Sequence, residues 1–585
     1  MYKFPIITVL LLISVLVMFP GCETEQEVTE TDWVAETFAG MTEDQKVGQL
    51  FCLTVYPIRY FLFPDYKENV NRVVAKYKPG AIFLSANLDT VKLEIRNEFN
   101  GNKLHDELIN LQHLTDIPFF IAANFESGAW YWDSNATRFP FPLALAAAGS
   151  GEFAYRQGKI TAVEAKAQGI NWLFSPLVNI AIPPEMSHLQ IQSLGSNPAL
   201  VSDLSSQFIT GCQEVGVAAC LKYFPSEIPN SILSMSAVEP DDAQMNVFRD
   251  GIAAGALSIM TSPIVPPGGS TGDASPGEQH MMHDYLTNRL GFDGIIISEL
   301  TTANSIDNAV EEMETVLGAI EGGSSMFILP DINGLTIPLL DILMSEAVSG
   351  NVDMATVDAS VRKILDIKFS LNIHLAGRQQ ALRSMAGIGL PEYNQNALDV
   401  SNQGITLLKN YNNILPVDFN DSYVVSLAFL GESFPHFSTI YGEKVSQISN
   451  SIKHINIFGI PDERIQREVI RRATDADVLL CSFFYQPDKF GEHATLEPEL
   501  VALMKRVAKI NDQIIVVSFI DPYLINELPD VQSYIIPFSP SEHSMETTLG
   551  IIFGKSGSKG ILPIYISEQF PMGHSLTTGI ETKTK

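Results

Sequence analysis

Short apolar runs recur along the first part of the chain: Leu50–Val55, Ala81–Leu84, Phe119–Ala123, Trp172–Phe174, Ala218–Leu221, Leu257–Met260, Gly294–Ile297 and Met326–Leu329. Each stops at polar or small residues. Runs with no polar alternation read as strands buried on both faces. Between them lie longer stretches with apolar residues at helical spacing, such as Glu152–Gln168, Val201–Val215, Asp241–Ala254 and Thr336–Val348. Short buried strands alternating with helices predict a parallel α/β fold, and eight such units predict a (β/α)8 barrel of the TIM type. Val357–Phe369 reads as the helix that closes it. A segment holding Gly377, Gly387 and Pro391 reads as a linker, and the second domain begins near Asn394. There Gly404–Lys409, Val424–Leu430, Val478–Phe484, Ile514–Phe519 and Tyr534–Pro537 are strand-like, with helical patterns such as Glu497–Ile510 between some of them. That predicts a smaller α/β sandwich. The expected boundaries are 33–372 for the barrel, 373–393 for the linker and 394–585 for the sandwich.

Composition fits two packed domains. Of 585 residues 46% are hydrophobic and 18% charged, a globular balance. The formal charge of −30 argues against nucleic acid as a partner and against docking on anionic lipid through a basic face. The N-terminus changes the picture more. Met-Tyr-Lys, an apolar run from Ile6 to Met18 and then Phe19-Pro20-Gly21-Cys22 read as a secretory signal over 1–21. Gly21-Cys22 also looks like a bacterial lipobox, so Cys22 is expected to carry lipid. The acidic stretch 22–32 is then a tether, and the protein an exported, membrane-anchored lipoprotein of the cell envelope. Cys52, Cys212, Cys220 and Cys481 form no C-x-x-C pair, so neither a disulfide framework nor a zinc site is expected. His280-Met-Met-His283 lacks a nearby third ligand and reads as plain helix. No metal and no cofactor is expected.

The chemistry centres on Gly291-Phe-Asp-Gly-Ile-Ile-Ile-Ser-Glu-Leu300, a buried strand that ends by presenting the carboxylate of Glu299. In a parallel barrel that strand end is where active sites sit. The stretch resembles the nucleophile segment of glycoside hydrolase family 3, G-F-x-G-V-V-V-S-D, with Glu for Asp. Further resemblances follow in order. Met41-Thr-Glu-Asp-Gln-Lys-Val-Gly-Gln49 is similar to M-T-x-E-E-K-x-G-Q, and Val361–Lys368 to R-R-I-L-x-x-K. Gly404–Asn410 with Ile414-Leu-Pro416 is similar to S-I-T-L-L-K-N and I-L-P-L, and Gly560–Pro563 to G-K-L-P. Leu221-Lys222-Tyr223-Phe224-Pro225 looks like the K-H-F-P-G-H-G-D-T loop of the β-N-acetylhexosaminidase branch, whose members are exo-acting retaining glycosidases that act on peptidoglycan fragments or chitin oligomers. The resemblance implies Glu299 as nucleophile and places Asn124, Glu126, Lys222, Tyr223 and Gln192 around a sugar.

It also implies losses. The branch's acid/base Asp–His dyad matches Leu233 and Met235, which cannot exchange a proton. Asn124-Phe-Glu-Ser-Gly-Ala129 stands for D-Q-E-G-G-R, Gln192-Ser-Leu-Gly195 for R-S-F-G, Pro263 for a His and Ser325 for an Asp. Ala129 and Gln192 in place of Arg remove bidentate charged hydrogen bonds. Glu299 is longer than Asp by one bond, roughly 1.5 Å, a shift large enough to disturb in-line attack. Three readings follow. In the first, a degenerate hydrolase binds terminal β-linked N-acetylhexosamine with weak or no hydrolysis. In the second, an active retaining enzyme uses Glu299 as nucleophile and Glu227 as acid/base. The third is a non-catalytic scaffold lipoprotein. Ser360-Val-Arg-Lys363 has S-x-x-K spacing but lies in the closing helix without a companion motif, so a serine hydrolase does not fit.

Overall fold

The computed structural model describes residues 30–85, 101–180, 190–225, 242–264, 283–300, 313, 316–329, 332, 336–375, 387–431, 437–485, 496–528 and 531–578. Eight strands pair in chain order: β1 (Phe51–Val55), β2 (Ala81–Leu84), β3 (Phe120–Ala123), β4 (Trp172–Leu173), β5 (Ala218–Phe224), β6 (Ser258–Ile264), β7 (Ile295–Leu300) and β8 (Met326–Leu329). All are parallel, and β8 pairs with β1, so the barrel closes. Each apolar run of the sequence overlaps one strand. The helices that bear on the site are α1 (Glu30–Gly40), α2 (Pro142–Ala148), α3 (Gly151–Ala167), α4 (Pro198–Glu214), α5 (Met354–Ser370), α6 (Pro391–Gly404) and α7 (Phe437–Ile448).

Register decides which side chains fill the barrel. The Trp172 indole donates to Ser258 Oγ at 2.8 Å, joining β4 to β6 across the interior. From Ser258 the inward row runs through Ile295 on β7, and Met260 is in register with Ile297 and with Lys222. Ile297 leads to Met326, and Glu299 pairs with Ile328, which pairs in turn with Cys52 on β1. Cys52 leads to Ala81, and Ala81 to Phe120. Phe120 packs on Trp172 at 4.9 Å, so the circuit is consistent.

At the floor, the N-terminal end of the strands, α5 lies across the opening. Its Lys363 reaches Asp293, just before β7, at 3.5 Å. Its Lys368 donates to Gln49 Oε1, just before β1, at 2.6 Å and sits 5.5 Å from the Phe120 ring. Lys368 faces inward because it continues the buried stripe Val357, Val361, Ile364 and Leu365. Helix α1 packs against α5 in turn: Trp33 meets Phe369 at 5.9 Å, and Arg362 lies 3.6 Å over Phe38. The chain therefore enters the barrel from beneath its floor. Thr42 and Gln45 form the capping box that starts the next helix, with Gln45 N donating to Thr42 Oγ1 at 3.3 Å.

The second domain is a six-stranded sheet. Its strands are β9 (Thr406–Asn410), β10 (Val424–Leu430), β11 (Lys453–Phe458), β12 (Val478–Phe484), β13 (Ile514–Ser518) and β14 (Ser533–Ile536), in the order β11-β10-β12-β13-β14-β9. Only β9 runs antiparallel, against β14. Sequence reading found five of these strands and missed the edge strand β11. The domains touch backbone to backbone: Ser196 N donates to Pro563 O at 2.9 Å and Ile561 N to Ala147 O at 3.0 Å. A Cβ on Gly404 would lie 2.2 Å from Ala144 O, so α6 rests on α2 only because that residue is glycine.

One buried carboxylate ties the segment before α6 to the barrel. Glu164 of α3 accepts from Thr137 N at 2.9 Å, Thr137 Oγ1 at 2.9 Å and Gly389 N at 2.8 Å. Burial pushes this carboxyl up to about 7, although those bonds oppose the shift; Asp133 adds to it. Between pH 4.5 and 7 the folded chain therefore holds a proton that the unfolded chain has released. Stability is expected to fall by about 3 kcal/mol as pH rises through that window and to level off above it. Urea midpoints across the window check this. Glu164→Gln is expected to flatten the slope, and a slope unchanged in the variant would assign it to other groups.

Candidate active site

Lys222 occupies the inner wall near the C-terminal end of β5 because the following backbone is held from two sides. Val178 N donates to Lys222 O at 2.8 Å, and Lys222 N to Pro176 O at 3.2 Å. The Asn179 side chain brackets Tyr223, donating to its carbonyl at 2.9 Å and accepting from its N–H at 3.1 Å. Gln244 fixes the bracket itself, donating to Val178 O at 3.0 Å and accepting from Ile180 N at 2.9 Å. Neither Asn179 nor Gln244 was singled out from sequence.

So held, Lys222 Nζ meets Glu126 Oε1 at 2.6 Å and Asn124 Oδ1 at 3.2 Å. Lys222 is 3% exposed and Glu126 8%, so this is a buried ion pair with an amide as second acceptor. Asn124 itself is exposed, just past the end of β3. The Tyr223 ring lies 5.7 Å from Nζ. Sequence reading placed Asn124, Glu126, Lys222 and Tyr223 together; the structure joins them and adds that Glu126 is engaged by the lysine.

Glu299 stands on β7, inward and one side-chain layer nearer the mouth than the Lys222–Met260–Ile297 row. It is half-buried. Cys52 stands two strands away in the same row: burial holds that thiol well above its ordinary value, and the nearby Glu299 carboxylate raises it further. Beneath, Ser298 faces the opposite way and shares hydrogen bonds with Thr261 Oγ1 at 2.8 Å and Ser324 Oγ at 3.2 Å, which fixes the strand that carries the carboxylate.

The other predicted positions are less engaged. Ala129 is 0% exposed, so nothing at that position reaches the mouth as an arginine would. Gln192 is half-buried on the segment between β4 and α4. Ser325 is buried, its N–H bound to Ile296 O at 2.8 Å. Pro263 lies within β6. Glu227, Leu233, Met235, His280 and Cys22 lie outside the described residues. Cys52, Cys212, Cys220 and Cys481 are free and buried, and no cluster of metal-ligating side chains occurs among the described residues. The described mouth thus presents the carboxylate of Glu299 on the inner wall of β7, while the Glu126 carboxylate is engaged by Lys222.

Residues 42–367 match the glycosyl hydrolase family 3 N-terminal domain. A β-N-acetylglucosaminidase/β-glucosidase of Cellulomonas fimi is 28% identical over 66% of the chain and 68% of its own length. A lysosomal β-glucosidase of Dictyostelium discoideum is 23% identical over 77% of the chain, and a periplasmic β-glucosidase of Salmonella typhimurium 22% identical over 66%. The chain spans 60% and 48% of those two relatives. Among solved structures, a family 3 β-N-acetylglucosaminidase from Paenibacillus has TM-score 0.74 at 22% identity, covering 90% of this chain and 99% of that one. A β-glucoside phosphorylase has TM-score 0.73 at 18% identity, covering 92% and 96%. These likenesses show the same two-domain fold.

Proposed function

Because the chain belongs to glycosyl hydrolase family 3, we propose that its barrel mouth binds terminal β-linked N-acetylhexosamine in glycans or peptidoglycan fragments and cleaves it slowly or not at all. One observation carries this reading. Glu299 stands on the inner wall and Lys222 is built into the same mouth, while Ala129 is buried where the related branch has arginine and Glu126 is held by the lysine. Among the described residues the wall keeps the Glu299 carboxylate and the exposed amide of Asn124. Its buried cation, Lys222, is already engaged by Glu126 and Asn124 rather than offered as a bidentate arginine would be to hold a distorted ring. A retaining reaction also needs an acid for the leaving oxygen, with its carboxyl about 5–5.5 Å from the nucleophile's. General acid/base help is worth roughly 10²–10⁴-fold, and Leu233 and Met235 cannot supply it.

An aryl β-N-acetylglucosaminide tests the nucleophile alone, because its leaving group needs little protonation. Very slow turnover is expected, through a covalent intermediate on Glu299 detectable by intact mass, and Glu299→Gln is expected to abolish it. Assays with and without inorganic phosphate separate hydrolysis from phosphorolysis. Brisk turnover of an unactivated disaccharide would refute the weak-activity reading and favour the active enzyme; there Glu227→Gln should impair natural substrates far more than activated ones. Neither binding nor turnover would leave the scaffold reading.

The same proposal gives the protein an address. We expect Cys22 to be lipidated and the protein to sediment with membranes. Cys22→Ala should move most of it to the soluble exported fraction. Unchanged fractionation of the variant would remove the anchor from the proposal.

A further inference from the structure

Thr137, Arg138 and Phe139 are consecutive, and each touches a different part of the molecule. Thr137 gives its N–H and hydroxyl to Glu164, which also binds Gly389 of the segment leading into α6. Arg138 places its guanidinium 4.0 Å over the Trp130 ring and 5.0 Å from the ring of Phe437, the first residue of α7 in the second domain. Phe139 N donates to Ser127 O at 3.0 Å, next to Glu126. A Cβ on Gly128 would lie 2.3 Å from Thr137 O, so the two backbones are in close contact there as well.

The ring contacts extend the path. Trp130 stacks on Tyr131 at 4.5 Å, and Tyr131 lies parallel to Phe125 at 6.2 Å. Phe125 sits between Asn124 and Glu126, the two residues that accept from Lys222. A chain of packed groups thus runs from α7 through Arg138 to the loop that holds the lysine.

We propose that Arg138 is a positioning residue through which the second domain sets the conformation of the 124–131 loop at the barrel mouth. The site is then incomplete without the second domain, even though the described contacts to Lys222 all come from the barrel. The consequence for sugar binding rests on the function proposed above; the coupling itself is measurable without sugar.

Hydrogen–deuterium exchange on the full chain tests it. Arg138→Met keeps the side chain's bulk and removes the cation. Exchange in peptides covering 124–131 is expected to rise roughly five- to tenfold, the scale of two lost cation–π contacts. Peptides from β12 and β13 should be unchanged, and Arg138→Lys should restore most of the protection. Phe437→Leu perturbs the same contact from the other domain and should reproduce the pattern, which keeps the test decisive if Arg138→Met fails to fold. Faster exchange confined to 137–139 and 437–440, with 124–131 unchanged, would overturn the proposal. So would a uniform rise throughout the barrel in both variants. If the wild type binds no N-acetylglucosamine, the sugar-site reading fails while the exchange result still decides the coupling.

Discussion

Lys222→Met is expected to destabilise the folded protein by about 3–5 kcal/mol, because it leaves Glu126 buried with its cation removed. Glu126→Leu alone should do comparable damage by stranding the lysine. The double variant is expected to lie within about 1 kcal/mol of wild type, since a buried pair replaced by apolar groups of similar volume is often neutral. Urea denaturation of the four proteins gives the cycle, and the coupling should approach the sum of the two single effects, because the double variant loses almost nothing. Additive single effects would mean that the 2.6 Å contact contributes little and that Lys222 is held by its backbone alone.

Lys368→Met is expected to do the opposite. Both lysines are inside the barrel, but the partner at the floor is the neutral amide of Gln49, and burial pushes Lys368 down to about 7. The folded value lies below the ordinary 10.5, so between pH 7 and 10.5 the unfolded chain binds a proton that the folded chain lacks. Stability therefore rises with pH across that window, and at pH 7 and below the buried amine carries its full penalty, on the order of 4–5 kcal/mol. Removing it orphans Gln49 Oε1, which costs about 1–3 kcal/mol. The net expectation at pH 6 is a gain of about 2 kcal/mol, with the slope between pH 7 and 10 largely flattened. A variant less stable than wild type at pH 6 would show that packing of the lysine stem, or the Gln49 bond, outweighs desolvation.

These two lysines also mark what the sequence discloses. The barrel strands were legible because a parallel strand covered on both faces must be apolar throughout, as Ile295–Ile297 and Met326–Leu329 are. β11 was not: its edge position leaves Lys453 and Phe458 exposed, so Lys-His-Ile-Asn-Ile-Phe shows no continuous run. Glu299 was legible as a carboxylate ending a buried strand. Sequence placed Lys222 and Glu126 at one site but not as an ion pair, because that contact depends on the curvature that turns the inner face of β5 toward the loop after β3, across β4. Lys368 and Glu164 carried a local signal that went unused. Each continues the buried stripe of its own helix, Lys368 after Val361 and Ile364, Glu164 after Ile160 and Thr161. A charged residue on such a stripe is either paired or pushed off its ordinary protonation range.

The chain reaches the barrel from the floor side, through the helix Glu30–Gly40. Trp33 lies against Phe369 and His374, at the far end of the barrel from Glu299 and Asn124. If Cys22 carries the proposed lipid, the chain would lead from it to the closed end of the barrel, and the open end would lie on the opposite side. Glycan chains standing off the membrane would meet the mouth directly, whereas lipid headgroups at the bilayer surface would face α1 and α5.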